Sequence, residues 1–156
     1  MEKGIRWNQA FAYMLAQFAG GIAGAVIAHA MFGLPAISIS HHIRSGPAQV
    51  FSEFVATFGL LCVIWGCVRS NEKAVPFAVG AYITAAYWFA ASTSCANPAV
   101  TLERCLSDTF AGIRPLDVPE FVVAQIAGGV AATFLFGFLL PSRTAEKAVI
   151  PHSHRQ

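Results

Sequence analysis

The chain has 156 residues, 56% of them hydrophobic and only 12% charged, with a formal net charge of +2 and a mean hydropathy of +0.58. Residues 7–43, 74–102 and 121–142 carry no Asp, Glu, Lys or Arg at all. A soluble domain of this size rarely leaves such gaps, whereas a helical bilayer span requires about 20 apolar residues. The composition excludes an ordinary soluble enzyme, and so small and scattered an excess of positive charge gives no hold on nucleic acid.

In chain order, residues 1–9 form a short polar lead-in, and 10–31 form the first expected span. That run is Gly-rich and has no small-residue cleavage pattern, so it does not read as a removable signal. Ala16, Gly20 and Gly24 recur at four-residue spacing, which allows a neighbouring helix backbone to come close. The loop 33–47 holds His41 and His42, a pair with no third ligand nearby and hence expected to be solvated rather than metal-binding. The second span, 48–68, contains Glu53, the single acid in the interior of a span; Glu120 stands at the edge of the last one. An uncompensated charge at that depth is costly, so Glu53 needs either a transport role or hydrogen-bond donors. A short loop, 69–73, leads into a third span at 75–92.

Asn97-Pro98-Ala99 follows directly and reads as the start of a half-length helix over 97–106, lying inside the membrane. Pro98 suits a first helical turn because its missing N–H would be unpaired there anyway, and Asn97 is a strong cap. Such a helix presents an amide and a positive dipole end to a passing solute, which favours a neutral molecule over a cation. The last span, 119–140, contains an internal repeat. Residues 16–24 (AQFAGGIAG) return as 124–132 (AQIAGGVAA), identical at six of nine positions and offset by 108 residues. Gly128 takes the place of Gly20 in the second copy, and Gln125 that of Gln17. Duplicated halves of opposite orientation are a common way to build transport proteins. The polar tail, 142–156, includes His152 and His154, also expected to be solvated.

Basic residues set the orientation. Lys3, Arg6, Arg69, Lys73, Arg143, Lys147 and Arg155 fall on one side and Arg44, Arg104 and Arg114 on the other, so both termini are expected in the cytoplasm. The four cysteines, Cys62, Cys67, Cys95 and Cys105, have neither metal-ligand spacing nor the density of a disulfide scaffold. No cofactor site is expected.

Residues 97–102 (NPAVTL), the Gly80-containing span before them, the glutamine-glycine helix after them and the opening of the second span at 52–58 (SEFVATF) together resemble the aquaporin and aquaglyceroporin, or major intrinsic protein, family. The resemblance covers about residues 7–141. It implies an all-α membrane fold with six spans and two re-entrant half-helices whose two Asn-Pro-Ala motifs meet at mid-membrane. This chain would be a partial bundle, with four transmembrane helices and one half-helix. Asn97 precedes the second repeat copy by 27 residues, so its counterpart would lie roughly a dozen residues before Met1, and the chain reads as N-terminally truncated.

The resemblance also implies that Asn97, Pro98 and Ala99 line a pore, with Ser94 and Val100 at its constriction. Tyr87 is the preferred lining residue of the third span, with Ala85 as the alternative count. Glu53 would accept hydrogen bonds from the re-entrant loop. Many members carry arginine where this chain has Val100, which implies a wider and less polar filter. Arg104 lies one turn further on and could compensate in part, although pairing with Glu103 or Asp108, or simple exposure, is the expected role. The implied function is a passive channel for small uncharged solutes, namely water, glycerol-like polyols or neutral metalloid hydroxides, in the plasma (inner) membrane. When complete it would be a homo-oligomer, a tetramer in the family. The alternative is a non-conducting remnant or structural subunit. An enzyme is set aside, because Glu53, His29 and thiols are the ionisable groups within the spans.

Overall fold

The computed structural model describes residues 6–139. Residues 1–5 and the tail from 140 onward, with His152 and His154, lie outside the described residues. Five α-helices follow one another: α1 (Trp7–Met31), α2 (Pro47–Ser70), α3 (Val75–Phe89), α4 (Pro98–Arg104) and α5 (Val118–Leu139). Single 3-10 turns, Glu72–Ala74 and Pro115–Asp117, lead into α3 and α5.

The helix ends follow local chemistry. Gly33, at φ +67°, closes α1 while the Leu34 N–H donates to His29 O at 2.8 Å. Gly46, at φ +106°, and Pro47 open α2, since glycine tolerates that conformation and proline suits a first helical turn. By length and composition, three helices can cross a membrane: Trp7–Met31, Pro47–Ser70 and Pro115–Leu139. The third expected span, 75–92, is helical only as far as Phe89. Its 15 residues reach roughly 22 Å, because the backbone turns extended at Ala90 and the rest of the apolar run forms a loop.

The framework is the pair α2 and α5, which make the most extensive contact in the structure. On α5 the buried residues are Val118, Phe121, Ala124, Gln125, Gly128 and Ala132, a single face at three- and four-residue steps. A Cβ added to Gly128 would meet Phe54 O and Phe58 N of the α2 backbone, so only glycine permits this approach. The first repeat copy behaves differently: added Cβ atoms at Gly20 and Gly24 would meet nothing within 4 Å. Neither glycine has a packing partner among the described residues. α1 rests instead on α4, where the Glu103 carboxyl lies against Gly21.

Gly128→Ala should therefore lower the stability of the α2–α5 pair by about 1–3 kcal/mol, the usual cost of overpacking, with Gly24→Ala close to neutral. Thermal melts of the detergent-solubilised variants check this, and equal melting temperatures for both would contradict the packing described.

Candidate functional site: the re-entrant loop and half-helix

Residues 92–96 leave α3 and turn back into the protein, and all five are buried. Thr93, Ser94 and Ala96 have φ of +59°, +49° and +50°, a left-handed conformation costing non-glycine residues about 1–2 kcal/mol each. The chain can hold this shape only if something fixes it. Glu53, with no exposed surface, does so: Oε1 accepts from the Cys95 N–H at 2.8 Å, and Oε2 accepts from the Ala96 N–H at 2.9 Å and from Gln125 Nε2 at 2.7 Å. Gln125 also donates to Thr101 Oγ1 at 2.8 Å, and Thr101 Oγ1 donates to Asn97 O at 3.0 Å. One buried network thus ties α2, α4, α5 and the loop together.

Asn97 caps α4 through Oδ1, which accepts from the Ala99 N–H at 2.9 Å, while Pro98 occupies the first helical position. The amide nitrogen of Asn97 has no partner among the described residues. Asn97 and Pro98 border a cavity of about 610 Å³ lined by α2 and α5, including Thr57, Gln125 and the apolar Leu61, Ile126 and Val130. Thr57 Oγ1 and Gln125 Oε1 are buried without hydrogen-bond partners among the described residues, and the surface that the wall presents is largely apolar.

The remaining candidate residues cluster elsewhere. Val100 is half-buried and packs against the buried cluster formed by Cys95, Cys105, Ile113, Val118 and Phe121, while Ala99 and Ser94 are buried. None of these three borders the cavity. Tyr87 is half-buried and makes edge contacts with Trp88 and Phe110, whereas Ala85 is exposed on α3.

Arg104 departs from expectation: it pairs with neither Glu103 nor Asp108. Its Nη1 donates to Thr93 O and Thr93 Oγ1, both at 3.1 Å, and to Cys95 Sγ at 3.5 Å, and the guanidinium lies 5.7 Å from the Tyr87 ring centroid. Glu103 is an adjacent residue on a helix and points elsewhere, against α1. Asp108 would share a face with Arg104 only if the helix continued, and α4 ends at Arg104. Asp108 instead accepts from the His41 N–H at 2.9 Å and meets the His41 ring at 3.3 Å, contacts that hold its carboxyl below the usual range.

A second feature has no motif in the sequence. The loop after α1 straps across the end of α4: Ser38 N–H donates to Leu106 O at 3.0 Å, Ser40 N–H to Cys105 O at 2.8 Å, and Arg114 N–H to His42 O at 2.8 Å. Arg44, only 4% exposed, anchors it by donating Nε to Gly112 O at 2.7 Å and its backbone N–H to Asp117 Oδ2 at 2.8 Å. Asp117 also pairs with Arg114 at 2.7 Å. The signal available was a lone arginine at the end of a long charge-free stretch. His29 completes the strap, with Nδ1 2.7 Å from Pro35 O and Nε2 2.8 Å from Ser107 Oγ.

Residues 68–155 match the family described as Major intrinsic protein. The chain is 52% identical over 143 residues to the aquaglyceroporin AqpS of Rhizobium meliloti (strain 1021), covering 91% of this chain and 61% of that protein. It is 30% identical to a probable aquaporin AqpM of Archaeoglobus fulgidus, covering 81% of this chain and 57% of the relative, and 31% identical to an aquaglyceroporin of Toxoplasma gondii, covering 80% and 48%. No solved structure matches it. The chain belongs to the major intrinsic protein family, whose members are membrane channels and not enzymes. It spans about half to three-fifths of the length of these relatives.

Glu53→Gln should release the loop, since a neutral amide cannot accept from two backbone N–H groups and Gln125 as a carboxylate does. The loss expected for a buried charge-assisted network is about 2–4 kcal/mol. Hydrogen exchange at the Cys95 and Ala96 amides should accelerate at least tenfold, while exchange at mid-α2 amides near Cys62 changes less.

Proposed function

We propose that this chain forms one wall of an aquaglyceroporin-type passive channel for small uncharged solutes, water, glycerol-like polyols or neutral metalloid hydroxides among them. On this reading α1, α2, α3 and α5 cross the plasma (inner) membrane with both termini in the cytoplasm, and α4 is re-entrant. The observation that carries it is the placement of Asn97. Its amide nitrogen, without a hydrogen-bond partner among the described residues, stands at the edge of a largely apolar cavity between α2 and α5. A neutral solute can exchange hydrogen bonds with the Asn97 amide, while an ion would lose its hydration against Leu61, Ile126 and Val130. Val100, a neutral side chain directly after the motif, supports a filter open to solutes larger than water. The printed name of the 52% identical relative, an aquaglyceroporin, points the same way.

A second reading, a non-conducting subunit, draws on the exposure of the cavity's α5 wall: Ile126 is 58% exposed and Phe134 76% exposed. Swelling of proteoliposomes that hold this chain separates the two. Glycerol and arsenous acid should enter severalfold faster than into empty liposomes, and Asn97→Ala should lower that rate. Rates equal to those of empty liposomes would establish the non-conducting reading for the chain alone, and passage of water with exclusion of glycerol would refute the wide filter.

A further inference from the structure

Side chains hold the strap between α1 and α2 at three places, and the middle one differs from the other two. At the start His29, 3% exposed, meets Pro35 O at 2.7 Å and Ala36 O at 3.2 Å and reaches Ser107 Oγ on its other side. At the end Arg44 is buried against Gly112 O, and Asp117 accepts its backbone N–H. Between them the Asp108 carboxylate accepts from the His41 N–H and faces the His41 ring, while the Asp108 N–H donates to Ser38 Oγ at 3.0 Å. This middle hold is open to solvent, with the His41 and Asp108 side chains 86% and 44% exposed. Beneath it lies the end of α4. A helix leaves its last carbonyls without partners, and here the Ser38 and Ser40 N–H groups supply donors to Leu106 O and Cys105 O. No helix or strand stiffens the chain between Gly33 and Gly46, and both glycines have positive φ, so the strap has a pivot at either end.

We propose that the strap is an acid-released latch: protonation of the Asp108 carboxyl frees residues 38–41 from the end of α4 while the buried holds at His29 and Arg44 stay closed. The titratable groups that face Asp108 are His41 and His42 of the strap, and His29 of α1 meets the same loop at Ser107. The remaining ionic groups nearby are turned to contacts of their own, Arg104 to Thr93, Glu103 to Gly21 of α1 and Arg114 to Asp117. A neutral carboxyl loses the charge that strengthens its bonds to His41. The backbone bonds from Ser38 and Ser40 then hold the end of α4 without that support, so acid loosens the last turn of the half-helix that carries Asn97. The His41 N–H first and the ring second keep the Asp108 carboxyl below its ordinary value of 3.8. Its support is therefore complete above pH 3.8 and is lost as pH falls through the lower value of the folded chain. An exposed pair is a modest interaction, so release is a severalfold change in a local equilibrium and not unfolding. It occurs whether or not the chain conducts.

The test is the mobility of a nitroxide on Ile39→Cys, an exposed strap position, in reconstituted chain that also carries Cys62→Ser and Cys67→Ser. Electron paramagnetic resonance spectra are recorded from about pH 7 down to about pH 2. The mobile fraction should rise severalfold with a midpoint below pH 3.8 and fall again on return to neutral pH. Asp108→Asn should leave the strap mobile throughout, with no transition. His41→Ala, which removes the ring and keeps the backbone N–H, should retain the transition and move its midpoint up toward 3.8. A spectrum unchanged over the whole range would overturn the proposal. So would a transition that survives Asp108→Asn, which would belong to Asp117 or another acid. A nitroxide on Val123→Cys, exposed on α5, separates release from acid unfolding, and mobility rising there together with residue 39 would also overturn the latch. If Asp108→Asn fails to fold, His41→Ala decides: an upward shift of the midpoint supports the latch and an unmoved midpoint overturns it.

Discussion

The Glu53 carboxylate is the constraint on which the rest of the structure depends. A bilayer interior offers no water to irregular backbone, so a loop at membrane depth persists only where protein groups satisfy it. The loop before α4 has three residues in the left-handed region and two inward-facing N–H groups, at Cys95 and Ala96. One carboxylate answers both, and its remaining capacity is taken by Gln125. The same charge that would be costly alone in α2 becomes the organising acceptor, because three donors converge on it. The start of α4, the Asn97 cap included, is positioned by that convergence.

Gln125 carries the constraint onward. It bridges Glu53 to Thr101, and Thr101 returns to the Asn97 carbonyl, so the half-helix is bonded to α5 as well as to its own loop. This network requires α5 to lie close against α2, which Gly128 allows by exposing its backbone to Phe54 and Phe58. The two copies of the repeat thus share their residues but not their surroundings. In the second copy the small residues admit a neighbour, while Gly20 and Gly24 face open space and α1 meets α4 through Gly21. Sequence identity between the copies encodes a capacity for close packing, and the presence of a partner decides whether it is used.

Much of this was legible in the sequence, for reasons that can be stated residue by residue. Asn97 and Pro98 are local signals, because capping and a missing N–H act within one turn, and α4 begins where they indicate. The long helices follow from uninterrupted hydropathy. The end of α3 did not, since residues 90–92 are as apolar as a helix would be and the break is imposed by the turn toward Glu53. The partner of Arg104 is hidden in the sequence because two acids, Glu103 and Asp108, stand at tempting distances along the chain. Only the end of α4 at Arg104, which places Asp108 off the helix, redirects the guanidinium to Thr93. The strap held by Arg44 was invisible for a related reason: its partners lie 66 to 73 residues away and most are backbone carbonyls, which every sequence contains.

The distribution of unmet polar groups then becomes informative. Native structures leave few buried polar groups unmet. Among the described residues, Thr57 Oγ1 and Gln125 Oε1 remain buried without partners behind the cavity wall, as do Gln49 Oε1, Ser94 Oγ and Glu120 Oε1 away from it, and the Asn97 amide nitrogen stands at the cavity edge. Gln125 is the telling case, because its Nε2 makes two short hydrogen bonds that orient the whole amide. The bonds that hold the half-helix in place thereby dictate where Oε1 sits, so the polar points beside Asn97 follow from the same network that begins at Glu53.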